Sequence, residues 1–166
     1  KYSKDFKDYY ESQNFKKRDK ESFIEISAAI EESIDLHLNR DVPLSILLSS
    51  GLDSSLITYL TKKKEESIFG LTVGFDTQNN HKSNEIKKAS SLAKMLEIDY
   101  ESVSIDKRIF EESKNKIFYS MDSPSIDGIN TWFACNALRK SGYKMTMSGV
   151  GGDELLYGYK NYQEVN

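Results

Sequence analysis

The chain has 166 residues, of which 30% are charged and 38% hydrophobic, and its formal net charge is −3. This composition is typical of a soluble globular domain with its own core. The acidic balance argues against a nucleic-acid or anionic-membrane partner, and no apolar run approaches the roughly 20 residues of a membrane span. The single cysteine cannot form an internal disulfide, which favours a reducing, cytoplasmic setting.

Hydrophobic periodicity and turn signals predict the elements. Continuous apolar runs indicate strands buried on both faces of a parallel sheet, and periods of three to four residues indicate amphipathic helices. In chain order we predict helix 19–40, strand 44–49, helix 54–64, strand 67–75, helix 82–96, strand 100–105, helices 107–120 and 129–141, and strand 143–148. Strands that alternate with helices predict an α/β fold with a doubly wound parallel sheet.

The two ends suggest a piece of a longer protein, because the chain begins with Lys1 and stops soon after a glycine-rich stretch. Residues 1–20 have weak periodicity and are predicted to form a surface segment. Residues 21–166 are predicted to form a partial domain, truncated on its C-terminal side.

The first unusual stretch is "SSGLDSS", residues 49–55, between the first predicted strand and the next helix. A strand that runs through a glycine-containing turn into a helix presents backbone N–H groups and a partial positive charge, which suit a phosphate. Asp53 is unexpected there, because a carboxylate repels phosphate unless a cation lies between them, and this suggests Mg²⁺. The alternative is that Asp53 or Ser54 only caps the helix.

The second unusual stretch is "SGVGGDE", residues 148–154, after the fourth predicted strand. Its three glycines predict that something approaches the backbone closely. In a doubly wound sheet, ligands bind beyond the carboxyl ends of strands, near a switch in strand order. The two turns are therefore predicted to hold a polyphosphate, with a metal between Asp53 and Asp153. The alternative is that Asp153 and Glu154 are only favourable charges in the first turn of a helix.

Common nucleotide and hydrolase motifs do not account for this sequence. There is no G-x-x-x-x-G-K-[ST] and no G-x-S-x-G, and Glu154 stands where a dinucleotide fingerprint has its third glycine. His37, His81 and Cys135 lack the spacing of metal ligands. We predict that His37 lies on a helix surface and that Cys135 is a small core residue.

Three stretches carry a family resemblance: "DVPLSILLSSGLDSS", "MDSPSIDGINTWF" and "MTMSGVGGDELLYGY". Within the first, "LLSSGLDSSL" resembles the S-G-G-x-D-S-S signature of N-type ATP pyrophosphatases, called the PP-loop. In order and spacing, with one hundred positions between Asp53 and Asp153, the three stretches resemble the synthetase domain of the asparagine synthetase family. The resemblance runs from about Ile24 to the end. It implies an adenine nucleotide alpha hydrolase-like fold.

The resemblance implies an ATP-dependent ligase that adenylates a small-molecule carboxylate, releases pyrophosphate and lets an amine displace AMP to give an amide. Backbone groups at Leu47 and Val73 would meet the adenine, and Ser148 and Gly149 would lie along the nucleotide. Asp53 and Asp153 would be the catalytic residues and the ligands of Mg²⁺. The pyrophosphate portion of ATP would be held by Ser49, Ser50, Gly51, Asp53 and Ser54.

The resemblance also implies partners outside these residues. Ammonia would come from glutamine through an N-terminal glutaminase domain, and a catalytic lysine would lie on helices beyond Asn166. Nothing in the chain corresponds to the glutaminase domain. We therefore expect the isolated chain to be inactive.

Two positions depart from the family pattern. Ser50 stands where glycine is usual, and its side chain is expected to crowd the phosphate or to force a different turn. Val150 stands where asparagine synthetases carry an acid, which leaves the acceptor open between aspartate, a sugar and another carboxylate acceptor. Two further alternatives are a different PP-loop enzyme and a nucleotide-binding fragment without catalysis.

Three further acids match loops of the family. Asp122 and Asp127, in "MDSPSIDG", are candidate substrate contacts and equally candidate turn-forming or capping residues. Glu85, in "NNHKSNE", matches the acidic entry to the helix after the second strand. We interpret Glu85 first as a helix-start residue.

Overall fold

A computed structural model describes residues 20–76, 81–123, 125–156 and 158. The chain divides into two compact units, Lys1–Leu36 and His37–Asn166. Helix α1 (Lys20–Leu38) supplies the described part of the first unit. The surface segment predicted for residues 1–20 lies almost entirely outside the described residues, so that prediction and its boundary stay predictions.

The second unit is a four-stranded parallel sheet with helices between its strands. The sheet order is β3-β2-β1-β4, and every neighbouring pair is parallel. The predicted α/β fold with a parallel sheet is therefore confirmed. The elements in chain order are β1 (Leu44–Leu47), α2 (Leu52–Lys64), β2 (Phe69–Phe75), α3 (His81–Met95), β3 (Asp99–Ile105), α4 (Lys107–Tyr119), α5 (Ile126–Lys140), β4 (Met145–Met147) and α6 (Gly152–Leu156).

The strand order reverses between β1 and β4. From β1 the chain adds β2 and then β3 on one side, and it returns to pair β4 on the other side. Leu44 of β1 lies opposite Met145 of β4, and Ile46 lies opposite Met147. The turns that follow these two strands therefore leave the same edge of the sheet, at the switch point where doubly wound folds bind ligands.

Helices cover both faces of the sheet. Side chains that alternate along β2 point to opposite faces, and each face contacts a different helix. A Cβ at Gly74 would lie 2.6 Å from Cδ1 of Ile86, so α3 packs directly against the backbone on one face. On the other face Leu71 clusters with Ala137 and Leu138 of α5. This arrangement is the doubly wound one that the sequence predicts.

Three strands are shorter than predicted: β2 begins at Phe69 and not at residue 67, and β1 and β4 are shorter because their ends bond to neighbouring groups instead of continuing the ladder. Strand β1 stops at Leu47, since the Leu48 carbonyl accepts from the Thr72 hydroxyl. Strand β4 starts at Met145, because the chain before it is still closing α5. There Gly142 adopts φ 86° and the Tyr143 N–H donates to the Leu138 carbonyl at 2.9 Å, a C-terminal helix cap.

Two helices begin earlier than predicted. Helix α2 starts at Leu52, two residues earlier, after Gly51 at its N-cap. Helix α5 starts at Ile126, three residues earlier, because the Ser125 hydroxyl accepts from the Gly128 N–H at 2.9 Å. Both starts are set by local capping geometry rather than by apolar periodicity.

Single-residue predictions outside the site have mixed outcomes. His37 is exposed in the last turn of α1, as predicted. Cys135 is exposed on α5, so its predicted place in the core is wrong. Neighbouring Ala134 takes that place at 5% exposure, because the buried stripe of α5 passes through Phe133, Ala134 and Ala137 instead.

Candidate functional site

The candidate site consists of two turns at the strand-order switch. We call residues 49–55, between β1 and α2, the serine turn. We call residues 148–154, between β4 and the start of α6, the glycine turn. Because β1 and β4 are adjacent and parallel, both turns emerge side by side at the carboxyl ends of their strands.

Ser54 holds the serine turn together. Its side chain is buried, and its Oγ accepts from the Ser49 N–H at 3.1 Å. The same Oγ lies 2.8 Å from the Ser49 Oγ and 3.2 Å from the Gly51 carbonyl. The Gly51 N–H in turn donates to the Ser49 Oγ at 3.1 Å. The two hydroxyls that the sequence assigned to the phosphate thus also form the internal frame of the turn.

The N-terminus of α2 keeps backbone donors for a ligand. Gly51, its N-cap, has extended dihedrals (φ −76°, ψ 158°) and makes no side-chain capping bond. The first N–H groups of a helix have no intrahelical carbonyl to bond. The first backbone bond back into the helix runs from the Ser55 N–H to the Gly51 carbonyl at 3.2 Å. The N–H groups of Leu52, Asp53 and Ser54 therefore have no carbonyl partner within the helix and form the anion-binding end of α2.

Ser50 fits its position without backbone strain. It is exposed, and among the described residues Glu97 is the non-glycine residue with a positive φ. The turn therefore has a conformation that any L-residue adopts at this position. The expectation that the Ser50 side chain crowds the phosphate or changes the turn stays a prediction.

The glycine turn packs directly onto Asp53. A Cβ at Gly149 would lie 2.8 Å from the Ser54 backbone N and 3.0 Å from the Asp53 Cβ. A Cβ at Gly152 would lie 2.6 Å from Oδ2 of Asp53. A side chain at Gly149 would collide with the backbone of the serine turn, and one at Gly152 would displace the Asp53 carboxylate, so the absence of Cβ atoms lets the two turns touch. The close approach predicted from the glycines is therefore made by Asp53 itself.

Negative charge is concentrated where the turns meet. Burial raises the pKa of Asp53 above its ordinary value, and the nearby charges of Asp153 and Glu154 raise it further. The acids of the two turns are thus near enough for their charges to act on each other. Gly158 lies against Asp153 from the other side, where a Cβ would overlap Oδ1 of that carboxylate.

The paired carboxylates fit a hard divalent cation. Oxygen ligands suit Mg²⁺, which is usually held by one or two carboxylates together with substrate phosphates. Among the described residues, no group of three or more His, Cys, Asp and Glu side chains could hold a metal ion. Asp53 and Asp153 alone match a cation that is completed by phosphate oxygens, and a cation between them would relieve the repulsion that raises the pKa of Asp53.

The remaining predicted residues lie along the same edge of the sheet. Leu47 is the last residue of β1, and Val73 lies two residues before the end of β2. Ser148 follows β4 directly, and its Oγ lies 3.4 Å from the Val150 N. Val150 itself is 90% exposed at the tip of the glycine turn.

The three outlying acids have local surroundings of their own. Asp122 is exposed in the bend before α5, and Asp127 is exposed in the first turn of that helix. Ser125, and not Asp127, supplies the N-cap of α5. Glu85 lies one turn into α3, which begins at His81, so it is not at the helix start.

Sequence reasoning missed two residues that build the site. In the sequence Gly152 is only one of three glycines. In the fold it lies directly against the Asp53 carboxylate, which a Cβ at Gly152 would meet. Thr72 was also missed, although a threonine at the centre of the apolar strand "FGLTVGF" is a detectable signal. A buried hydroxyl needs a hydrogen-bond partner, and that partner is often a backbone group.

A parallel α/β domain with its candidate site at the strand-order switch belongs to the doubly wound class of nucleotide-binding folds. The asparagine synthase family profile matches residues 25–166, and the chain belongs to that family. No helix in the described ranges is long and apolar enough to cross a membrane.

Curated relatives match nearly the whole chain. It is 32% identical over 164 residues to asparagine synthetase [glutamine-hydrolyzing] 1 of Bacillus subtilis (strain 168), covering 96% of this chain and 25% of the relative. It is 28% identical over 153 residues to asparagine synthetase B [glutamine-hydrolyzing] of Escherichia coli (strain K12), covering 81% of this chain and 27% of the relative. The chain thus spans about a quarter of the length of these relatives.

A solved structure supports the fold independently. The NH3-dependent NAD synthetase of Campylobacter jejuni subsp. jejuni NCTC 11168 superposes with a TM-score of 0.51 at 20% identity. The match covers 81% of this chain and 59% of that protein. The adenine nucleotide alpha hydrolase-like fold expected from the PP-loop resemblance is confirmed.

Proposed function

We propose that this chain is part of an ATP-dependent, amide-forming ligase of the asparagine synthetase type. One observation carries the proposal: Asp53, in a turn suited to phosphate, packs against Gly149 and Gly152 of a second turn that carries Asp153. Membership of the asparagine synthase family supports the same assignment. The two turns together offer backbone donors and a pair of carboxylates, which a triphosphate with its metal requires.

Each part of the site has a distinct proposed role. The N-terminus of α2, with Ser49, Ser50 and Gly51, binds the pyrophosphate portion of ATP. Ser54 keeps that turn in shape through its bonds to Ser49. The backbone at Leu47 and Val73 meets the adenine, and Ser148 and Gly149 lie along the sugar and α-phosphate.

The proposed reaction is adenylation followed by amination. A carboxylate oxygen of the acceptor attacks the α-phosphorus, a new P–O bond forms, and the bond to the β-phosphate oxygen breaks with release of pyrophosphate. Ammonia then attacks the acyl carbon, loses a proton, and AMP leaves with the bonding electron pair. No side-chain nucleophile is required, because positioning and charge neutralisation lower the barrier.

Asp53 and Asp153 are the residues that would hold Mg²⁺. A metal held by these two carboxylates would supply positive charge for the leaving pyrophosphate. The pKa of Asp53 is raised first by burial and then by the charges of Asp153 and Glu154, and the second of these causes supports a cation between the two turns.

The acceptor is proposed to be a small carboxylate, and Val150 bears on which one. It is 90% exposed beside Gly149, so it presents an apolar side chain next to the nucleotide turns. This favours, as a second candidate function, a related amidotransferase whose acceptor differs from aspartate. Ammonia is proposed to come from glutamine through a glutaminase domain of the longer protein, as the words "glutamine-hydrolyzing" in the names of the relatives suggest.

Calorimetric titration of the chain with ATP, with and without Mg²⁺, tests the proposal. We expect measurable binding of ATP that tightens when Mg²⁺ is present, and weaker binding of GTP as the matched control for the base. A folded sample that binds ATP in neither condition would rule out the nucleotide site.

A further inference from the structure

Thr72 binds the backbone of Leu48, one residue after β1 ends. Its Oγ1 donates to the Leu48 carbonyl at 2.5 Å, and the residue is 3% exposed. The Leu48 N–H donates in turn to the Leu71 carbonyl at 2.9 Å. Both backbone groups of Leu48 are therefore bonded to β2, but only the second bond belongs to the ladder of the sheet.

A regular parallel ladder would continue differently at this point. In such a ladder, a residue that donates its N–H to residue j accepts at its own carbonyl from the N–H of residue j+2. With the Leu48 N–H on Leu71, the next bond would run from the Val73 N–H to the Leu48 carbonyl. Among the described residues that bond is not formed, and the Leu48 carbonyl accepts from Thr72 instead.

Because the Thr72 hydroxyl and not the Val73 N–H bonds the Leu48 carbonyl, the Val73 N–H of β2 is left without that ladder bond. Alternate residues of a strand direct their backbone groups to opposite neighbours, so Val73 directs its groups to the same side as Leu71, towards β1. Strand β1 ends at Leu47, where the serine turn begins shortly after. The Val73 backbone consequently faces the edge of the serine turn.

We propose that Thr72 is a positioning residue of the nucleotide site, whose hydroxyl holds the Leu48 carbonyl away from the Val73 N–H and so leaves that N–H open to the adenine. This inference rests on the proposed nucleotide site. Adenine presents ring-nitrogen acceptors beside an amino-group donor, and a backbone N–H with its C=O matches that pair. The hydroxyl acts through Val73 and has no contact of its own with the ligand.

A purely structural role for Thr72 makes a different prediction. A buried hydroxyl must find an acceptor, and Thr58 provides a matched case: it is 0% exposed, and its Oγ1 donates to the Ser54 carbonyl at 2.6 Å. That bond lies within α2 and replaces no ladder bond. If Thr72 only satisfied its own hydroxyl, removal of either hydroxyl would have the same kind of effect.

The test compares Thr72→Val, Thr72→Ser and the control Thr58→Val in the full 166-residue chain. Isothermal titration calorimetry measures the affinity of each for ATP–Mg²⁺ and for inorganic pyrophosphate–Mg²⁺. We expect Thr72→Val to weaken ATP binding by about tenfold, as expected for loss of one hydrogen bond, and to leave pyrophosphate binding within about twofold. Thr72→Ser keeps the hydroxyl and should bind ATP as the wild type does. Thr58→Val should leave the ratio of the two affinities unchanged.

The outcomes separate this inference from the function beneath it. If Thr72→Val keeps the wild-type ratio of ATP to pyrophosphate affinity, the role of Thr72 is overturned while the nucleotide site stands. Wild-type chain that binds neither ligand overturns both. Should Thr72→Val fail to fold, the Val73 amide signal of the wild type decides by NMR: it should shift with ATP and not with pyrophosphate, and a signal unmoved by bound ATP contradicts the inference.

Discussion

The serine turn and the glycine turn meet at one point but are built in opposite ways. The serine turn is held by side chains, since the buried Ser54 hydroxyl bonds Ser49 and closes the loop on itself. The glycine turn contributes by lacking side chains, since a Cβ at Gly149 or Gly152 would collide with Asp53. The two turns of this site therefore contribute differently. The serine turn holds the backbone N–H donors in place, and the glycine turn leaves room for Asp153 to approach Asp53.

The largest effect is expected from Gly149→Ala. The new Cβ would lie 2.8 Å from the Ser54 backbone N, so the turns must separate, at a cost of about 1–3 kcal/mol in the free energy of unfolding. ATP–Mg²⁺ binding should be lost as well, because Asp53 and Asp153 no longer face each other. Urea melts and calorimetry measure the two effects.

Gly142→Ala is the matched control for that substitution. Gly142 has φ 86°, and a Cβ added there would have nothing within 4 Å, so alanine strains the backbone without a collision. Gly142→Ala should lower the free energy of unfolding by about 1 kcal/mol, which is the usual cost of placing a non-glycine residue in the left-handed region. It should leave ATP binding intact. Equal loss of binding in both variants would contradict the idea that contact between the turns matters.

The serine turn should be broken next most severely by Ser54→Ala. Removal of the hydroxyl leaves the Ser49 N–H without its partner in the turn, and we expect the free energy of unfolding to fall by about 1–2 kcal/mol. Ser55→Ala removes an exposed bond to the Gly51 carbonyl and should cost clearly less. Thermal denaturation of the two variants measures both stabilities. Equal losses of stability in Ser54→Ala and Ser55→Ala would show that the Ser54 hydroxyl does not hold the turn together.

A smaller effect is expected in the pH dependence of stability. Burial, then the charges of Asp153 and Glu154, raise the pKa of Asp53, so the folded chain binds more protons than the unfolded chain just above the ordinary value of 3.8. The free energy of unfolding in metal-free buffer should therefore fall as the pH rises through this window. Asp53→Asn should remove that decline in a series of urea melts, with Asp127→Asn as the control for loss of an acid in a helix first turn. The same decline in Asp53→Asn and wild type would show that the two turns do not repel each other.

The smallest effect is expected from Ser50→Gly, which restores the residue usual in the family. The exposed Ser50 has no positive φ, so glycine relieves no strain there. Glycine only adds conformational freedom to the unfolded chain, which should lower the free energy of unfolding by about 0.5 kcal/mol. ATP affinity should stay within about twofold of wild type. A large gain in affinity would mean that Ser50 obstructs the phosphate.

The sequence was sufficient for the fold class because the central strands β1 and β2 are mostly apolar and helices such as α1 and α3 have a periodic apolar face. It was also sufficient to mark both turns, since Ser-Gly and Gly-Gly pairs between such elements are strong signals of a turn. The order of the strands, β3-β2-β1-β4, was not predicted, because periodicity holds no information on which strands are neighbours.

The details that failed depend on contacts between residues distant in the sequence. The end of β1 is set by Thr72, twenty-four positions away from Leu48. The partner of Gly149 and Gly152 is Asp53, on the neighbouring strand's turn. The exposure of Cys135 depends on which stripe of α5 meets the sheet. The local sequence pattern predicts whether a segment is a helix or a strand. Only the packed fold shows which face of that helix or strand is buried.

The central claim is that the two turns form one site, and a double-mutant cycle on ATP–Mg²⁺ affinity tests it most directly. Calorimetry would compare wild type, Asp53→Asn, Asp153→Asn and the double variant. If both carboxylates serve one cation, the second substitution should cost little once the first is made, giving a coupling of at least about 1 kcal/mol. Losses that add to within about 0.3–0.5 kcal/mol would contradict a shared site.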